Sequence, residues 1–514
     1  MDDRAMTLPG WLDPLPGAEQ MRAMDRWAIE ERAIPSLDLM ERAGAGLALL
    51  ADRTVRRGTI AVVCGKGNNG GDGFVAARLL RELGRSVRVL TLAAPEEHRG
   101  DAAENLRRLD GGHERFAVGA LDGAALVVDA ILGTGFAGEP RGAPRDAIEA
   151  IAASDAPVVA ADIPSGVDAS TGAAAAASVQ ATATATFAAA KPGHWIAPGK
   201  RLSGDVEVVD IGIPAGAPVR CDVGLLTARA HALVPGRDAP GTKFTSGHVV
   251  VAGGSRGLTG APCMAAEAAM RAGAGYVTAL VPASLEPIFE TRLLEVMTRA
   301  LPDAGGALRA DAAGAALAAA ERAGALVAGP GAGRSDAAFE FLRELARGSG
   351  APLLLDADGL NAHAGHLDGL AQRSAPTVLT PHAGELGRLL GRDSADIERG
   401  RLDSAREAAR RARAIVVLKG DDTIVAAPDG SAAVNGLSAP ALATAGTGDV
   451  LSGIIGALLA KGLEPFAAAC AGVRRHAAAG RVAAAAHGPD GVVASDVIAA
   501  LPGALEGEPE EPQE

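Results

Sequence analysis

The stretch Thr59-Ile-Ala-Val-Val-Cys-Gly-Lys-Gly-Asn-Asn-Gly-Gly-Asp-Gly73 decides the fold of the first half of the chain. Thr59 to Cys64 is an apolar, β-branched run of strand length. The nine residues after it hold five glycines, two asparagines and one aspartate. An apolar helix, Phe74 to Leu83, and a second strand, Ser86 to Leu92, are expected next. Strand, glycine turn, helix and strand make the repeating unit of a parallel, doubly wound sheet. The backbone N–H groups of such a turn, at a helix start, suit a phosphate. The spacing is neither G-x-G-x-x-G nor the Walker pattern, which would end in Gly-Lys-Ser/Thr. A tight structural turn is the plainer alternative. Against it stand Asn68, Asn69 and Asp72, side-chain polarity that a turn does not need.

On the N-terminal side, Met21, Met24, Trp27 and Ala28, and then Leu37 to Leu50, recur at helical spacing, so 17–55 is expected to form amphipathic helices. On the other side, strands expected at Ala125–Ala130 and Pro157–Asp162 run into Leu132-Gly-Thr-Gly135 and Ile163-Pro-Ser-Gly166. Residues 183–190 and 205–210 are expected to complete the sheet. In an open parallel sheet such turns gather at one edge, where ligands bind. Asp129, Asp162 and Ser165 all stand there. Each carboxylate alone reads equally as a loop cap, but their recurrence after successive strands favours one shared site.

Residues 214–242 hold Pro, Gly and Arg with little periodicity. A boundary is placed there, giving domains at 1–220 and 243–502 joined by a linker at 221–242. From His248 the pattern restarts with strand 248–252, glycine turn 253–260 and helix 261–272. Further strands end at Gly329-Pro-Gly331, Asp356, Thr380 and Lys419. The sharpest motif is Ala443-Thr-Ala-Gly-Thr-Gly-Asp449, ahead of the apolar helix Val450–Leu459. Its glycines can turn N–H groups toward a transferring phosphoryl group, and Asp449 then stands beside the acceptor hydroxyl, placed to take its proton. An acidic helix cap is the structural alternative. Both halves are thus α/β. The tail 503–514 is acidic and Pro-bearing, and is expected to be disordered.

At 514 residues the chain is too long for one ordinary core. A net charge of −13 disfavours nucleic acid and anionic membranes as partners. Cys64, Cys221, Cys263 and Cys470 are far apart and form no CxxC pair, which fits a reducing cytoplasm. No signal-peptide pattern opens the chain, and no uninterrupted apolar stretch reaches the roughly 18–20 residues of a membrane span.

Met40-Glu-Arg-Ala-Gly44, Gly65–Gly73, Asp129 with Gly133-Thr-Gly135, Asp162-Ile-Pro-Ser-Gly166 and Thr186-Phe187 with Lys191-Pro-Gly193 together resemble the NAD(P)H-hydrate epimerase family over about 17–214. The resemblance implies a Rossmann-like sheet. It implies that Asn68, Asn69, Gly70, Gly71, Asp72 and the run Gly133, Thr134, Gly135, Phe136, Ala137, Gly138 and Glu139 embrace hydrated NAD(P)H. It implies that Asn69, Asp129 and Ser165 hold a potassium ion, and that Asp162 binds the hydrated ring as the acid/base. Lys191 reads equally as a surface lysine.

Residues 240–502 resemble the ribokinase-like superfamily and, within it, the ADP-dependent NAD(P)H-hydrate dehydratases. The carriers are Gly253-Gly254, Gly329-Pro-Gly-Ala-Gly333, Asp356-Ala-Asp-Gly-Leu-Asn361, Leu379-Thr-Pro-His-Ala-Gly-Glu385, Leu418-Lys-Gly-Asp-Asp-Thr423 and the 443–449 motif. By that resemblance Ala261, Gly333, His382 and Asp449 contact the hydrate, while Lys419, Gly420, Asp421, Asp422, Thr423 and Gly448 contact ADP, with Mg2+ on its phosphates. The implied chemistry is phosphorylation of the ring hydroxyl and then loss of phosphate. One departure is Ser438-Ala-Pro440, where the family has Gly-Asn-Pro. A bifunctional repair enzyme working on small molecules, as a homo-oligomer, is the expectation. A vitamin-precursor kinase in the second half, or a scaffold role for the first, are the competing readings.

Overall fold

The computed structural model describes residues 8–109, 111–117, 119–237 and 241–504. The tail expected to be disordered lies, from 505 onward, outside them. The chain divides into two compact units, one spanning Pro14–Val223, the other running from Gly224 and including Pro9–Asp13.

The first unit is built on a seven-stranded sheet whose pairings are all parallel. Its order is His113–Arg115, Val87–Thr91, Thr59–Cys64, Ala124–Ala130, Val158–Ala161, Ala183–Phe187, Asp205–Val209. Thr59–Cys64 explains its own composition. Ile60, Val62 and Cys64 enter one apolar cluster with Leu47, Phe74 and Leu80, while Ala61 and Val63 enter another with Ile148 and Ile151. Alternating residues point to opposite faces, and both faces are covered, so the strand has no polar row. The chain leaves this strand toward one edge of the sheet and returns to its other side at Ala124–Ala130. The order therefore reverses between these two strands, and the turns beyond their ends diverge into a crevice.

The helix after Cys64 begins at Asn68, six residues before the expected Phe74, and runs to Glu82. Gly65-Lys66-Gly67 is the whole turn. Glycine is required here by close approach. A Cβ on Gly65 would meet the Ile131 carbonyl oxygen, and one on Gly70 the carbonyl oxygen of Gly65. Gly70→Ala is expected to destabilise the unit by about 1–3 kcal/mol, as overpacking against backbone does. Faster amide exchange in 59–82, with the second unit unaffected, is the measurement.

The second unit holds an eleven-stranded sheet. From one edge, Met297–Leu301, Tyr276–Pro282, His248–Ala252, Ala325–Ala328, Leu353–Leu355, Thr377–Leu379 and Ile415–Leu418 are parallel. Ile424–Ala426 and Ala432–Asn435 then continue as an antiparallel meander. Val223–Leu226 and Leu12–Pro14 finish the edge. The stretch 221–242, expected as a linker, thus contributes a strand and the short helix Ala228–Leu233. Val223, Leu226 and Ala230 are buried, and three apolar residues in so short a span carry too little periodicity to be recognised.

Candidate active sites

In the first unit a cavity of about 970 Å3 opens at the crevice between the diverging turns. Asn68, Asn69 and Asp72 line it from one side and Gly133 to Ala137 from the other, with Asp162 among the lining residues. Gly70 and Gly71 are buried behind the wall, where a Cβ on Gly71 would meet Met40 Sδ at 2.7 Å. Gly138 and Glu139 lie outside the lining, and the exposed Glu139 carboxylate accepts from the Ala176 N–H (3.2 Å).

Asp162 follows the strand Val158–Ala161 with φ at +67°, an uncommon conformation that Asp tolerates better than most residues. Its Oδ2 accepts from the Thr134 N–H (2.9 Å) and hydroxyl, and its Oδ1 accepts from Lys191 Nζ at 2.6 Å. Lys191 is 1% exposed, so it is no surface lysine. It also donates to Thr186 Oγ1 (2.7 Å) and the Phe187 carbonyl (3.0 Å). The Lys191 N–H donates to His194 Nδ1 (3.0 Å), which leaves the ring proton on Nε2 to donate to the Asp162 carbonyl (2.9 Å). Burial and the Lys191 charge hold His194 down at about 4. Burial alone would raise the Asp162 carboxyl, but Lys191 and Thr134 outweigh it and hold the group at about 2. Asp162 is therefore ionised throughout the neutral range. Two other carboxyls go the opposite way. Burial, reinforced by the charge of Asp162, pushes Asp72 well up. Burial also raises Asp25, despite Lys191 nearby.

Asp129 and Ser165 are fully buried. Ser165 donates to Asp129 through its N–H (2.8 Å) and hydroxyl (2.6 Å), and the Leu132 N–H donates to Ser165 Oγ (2.9 Å). They therefore brace the turn rather than line the cavity. Burial lifts the Asp129 carboxyl to about 6, against these hydrogen bonds. The buried Oδ1 and Nδ2 of Asn69 have no hydrogen-bond partner. A Cβ on Gly133 would stand 3.1 Å from Asn69 Oδ1 and 3.2 Å from Asp162 Oδ2, so glycine keeps both groups clear.

The second site gathers at the C-terminal ends of the parallel strands. Asp356 follows Leu353–Leu355, and its Oδ1 and Oδ2 accept from Lys419 Nζ (3.0 Å) and the Ser452 hydroxyl (2.8 Å). Glu385 stands 3.7 Å from Lys419. His382 caps the helix Ala383–Leu390. Its Nδ1 accepts from the Gly384 N–H (3.0 Å), and its own N–H donates to Glu385 (3.0 Å). The Gly333 N–H donates to Asp358 (2.9 Å), and a Cβ on Gly331 would stand 3.2 Å from that of Ala261. The helix expected from Val450 starts at Thr447, with Gly446 at φ +90° as its cap. That places Gly448 and Asp449 in its first turn, and a Cβ on Gly448 would lie 3.4 Å from Lys419 Nζ. Burial, then the charge of Asp356, pushes the Asp449 carboxyl up to about 7 against the pull of Lys419.

The 419–423 run divides. Lys419 turns into the acidic cluster. Asp422 is buried against Arg401 (2.9 Å), so its carboxylate holds the turn instead of facing a nucleotide. The Thr423 hydroxyl closes the same turn on the Gly420 carbonyl (2.6 Å). Gly420 and Asp421 are exposed, and the Ser438 hydroxyl, at the departure from the family pattern, donates to Asp421. His476 was not anticipated. It sits buried in the long helix Pro465–His487, and burial with the Lys419 charge lowers it to about 4. Asp25 was also missed. Its sequence signal is an acid at the middle of a helical row, Met21–Asp25–Ile29, whose members all line the cavity.

Fold and sites define a chain of two α/β enzyme units. The family described as NAD(P)H-hydrate dehydratase matches residues 249–503, and that described as YjeF-related protein N-terminus matches 36–193. The bifunctional NAD(P)H-hydrate repair enzyme of Moorella thermoacetica is 42% identical over 504 residues, covering 94% of this chain and 95% of that protein. Its namesake in Salinibacter ruber is 41% identical, with 95% of each covered, and that of Escherichia coli K12 is 36% identical, with 94% and 92% covered. This chain belongs to the family of bifunctional NAD(P)H-hydrate repair enzymes. Among solved structures, an ADP/ATP-dependent NAD(P)H-hydrate dehydratase from Bacillus subtilis, co-crystallised with ATP/Mg2+, is 27% identical with a TM-score of 0.47, covering 55% of this chain and 97% of that one. Among the described residues no helix is long and apolar enough to cross a membrane.

Proposed function

We propose that the first unit interconverts the R and S epimers of hydrated NADH and NADPH. The second converts the S epimer and ADP into NAD(P)H, AMP and phosphate. The observation that carries this reading is the pair of strand-end sites, the cavity lined by Asn69, Asp72, Thr134 and Asp162 in one unit and the Asp356–Lys419 pair beside Gly448 in the other.

In the first unit an ionised Asp162 is a poor acid and a good partner for positive charge. The buried Asp72, raised toward its neutral form, supplies the proton with which the ring hydroxyl leaves as water. The cationic ring is then held against Asp162, and water returns to either face. A potassium ion fits Asn69, Asp129 and Ser165, because the set offers oxygen donors, an unsatisfied amide and a buried carboxylate met only by neutral donors. It would supply fixed positive charge beneath the turn.

In the second unit Asp449 takes the proton from the ring hydroxyl as that oxygen attacks the terminal phosphorus of ADP. AMP leaves, the N–H groups of Gly446 and Gly448 face the transferring phosphoryl group, and Lys419 offsets its charge. The phosphorylated ring then expels phosphate, a far better leaving group than hydroxide, the neighbouring ring carbon gives up a proton to solvent or to the departing phosphate, and the ring double bond reforms. Mg2+ would be held chiefly by the nucleotide phosphates, where it would neutralise their charge.

The two activities should differ in pH dependence. Asp449 works only when deprotonated, so dehydration kcat/KM should rise with pH through an inflection near 7 and be lost below it. Epimerisation should show no inflection from Asp162 in that range. Separate pH–rate profiles test this, and a dehydration profile flat through neutrality would remove Asp449 as the base.

A further inference from the structure

The second unit has another cavity, of about 470 Å3, at the N-terminal end of the strands Leu353–Leu355 and Thr377–Leu379, opposite the strand-end cluster. Its ionisable lining is Arg343, Arg347, Arg373, His363 and His366, with Asp368 as the one carboxylate. Most of that charge is balanced. Arg343 donates to Glu340 (2.7 and 3.2 Å), Arg347 pairs with Glu344, and Asp368 is held by Arg411 through two bonds of 2.9 Å.

Arg373 is the exception. Its guanidinium donates to the Thr377 hydroxyl (3.0 Å) and to the carbonyls of Ala346, Ser349 (3.1 Å) and Ala351 (3.0 Å). Four of its five N–H groups are thus taken by neutral acceptors, and it has no carboxylate partner among the described residues. The cation is locked in position and left unneutralised, and burial pulls its pKa down. Beside it, buried His363 has Nδ1 at 2.8 Å from the Gly359 carbonyl. A carbonyl only accepts, so Nδ1 carries the proton and Nε2 is left for a ligand.

We infer that this cavity binds a small phosphomonoester at a site separate from the strand-end cluster. The fixed, unneutralised guanidinium attracts the anion, the His363 Nε2 lone pair accepts from the P–OH of a phosphate monoanion, and the volume fits a nucleoside monophosphate or sugar phosphate. Gly365, Gly369 and Leu370 leave room and an apolar wall for the remainder of the molecule. The inference does not rest on the repair chemistry proposed above.

The test is an imidazole 15N NMR titration of the full chain, with His363→Gln and His366→Ala assigning the two signals. Probes are inorganic phosphate and AMP, with chloride at matched ionic strength as control. AMP should move both signals saturably and raise both ring pKa values, at an affinity no weaker than that of inorganic phosphate. His366→Ala, at an exposed position, and Arg343→Gln, which leaves the Glu340 carboxylate unneutralised beside the cavity, should each weaken AMP about tenfold, with dehydration unchanged. Equal shifts with chloride, or affinity unchanged in both variants, overturns the site. Response to inorganic phosphate alone overturns the phosphomonoester.

Discussion

Asp449→Asn is expected to slow ADP-dependent dehydration by about 10²–10⁴-fold while leaving epimerisation at its wild-type rate. The substitution removes the proton acceptor and almost nothing else. Asp449 lies in the first turn of the helix Thr447–Ala460, whose opening is set by Gly446 at positive φ and by the Thr447 hydroxyl on the carbonyls of Leu442 (2.7 Å) and Thr444 (2.8 Å). None of that scaffold depends on the carboxylate. A raised pKa also means that folding keeps Asp449 against a penalty, so Asn should leave the unit as stable or slightly more so. Activity lost with stability retained separates catalysis from capping, since loss of an acidic cap costs stability. A rate within a few fold of wild type would assign Asp449 to the cap.

The second large effect is on stability. Lys191→Met is expected to destabilise the first unit by about 3–5 kcal/mol, because it leaves the Asp162 carboxylate buried without its partner. The sign follows from the pKa. Asp162 titrates at about 2 in the folded unit and at about 3.9 in an unfolded chain, so the pair contributes stability above the unfolded value and loses it as pH falls through the folded one. Across the neutral range the contribution is fully present, and the loss in Lys191→Met should be fully expressed. The double variant Asp162→Asn, Lys191→Met removes both charges and should recover much of the stability and none of the epimerase activity. With two units in one chain a single unfolding midpoint is ill-defined, so amide exchange in Val158–Ala161 and Ala183–Phe187 is the suitable readout. Wild-type exchange in Lys191→Met would show that the buried pair is not what holds Asp162 in place.

Much of this was legible in the chain because strand ends announce themselves. An apolar run covered on both faces, followed by glycines that nothing else can replace, gave the sheet and the crevice. Asp162 and Asp449 stand out in the sequence by their places after a strand and at a helix start, and the family resemblance gives them their expected roles. The rest depended on packing. Helix starts came out late at 68 and 447, since glycine reads as turn until something is seen pressing against it. Lys191 and Asp422 carry the same letters as surface charges, and only burial against Asp162 and Arg401 distinguishes them. Asp25 and His476 lie within helical patterns that read as ordinary packing. The residues at strand ends and helix starts were easier to find than the partners within helices and later turns that set their charge.

Two sites, one that interconverts the epimers and one that dehydrates the S epimer, are proposed to act in series on one substrate. The direct test is to give the protein a mixture of both epimers of hydrated NADH, with and without ADP and Mg2+, and to follow NADH absorbance and free phosphate together. No NADH should be recovered without ADP, and all of it should be recovered with ADP, at one phosphate per NADH. With Asp162→Ala, fast recovery should stop once the S epimer is consumed. Accumulation of a stable phosphorylated product, or complete and equally fast recovery in Asp162→Ala, would contradict it.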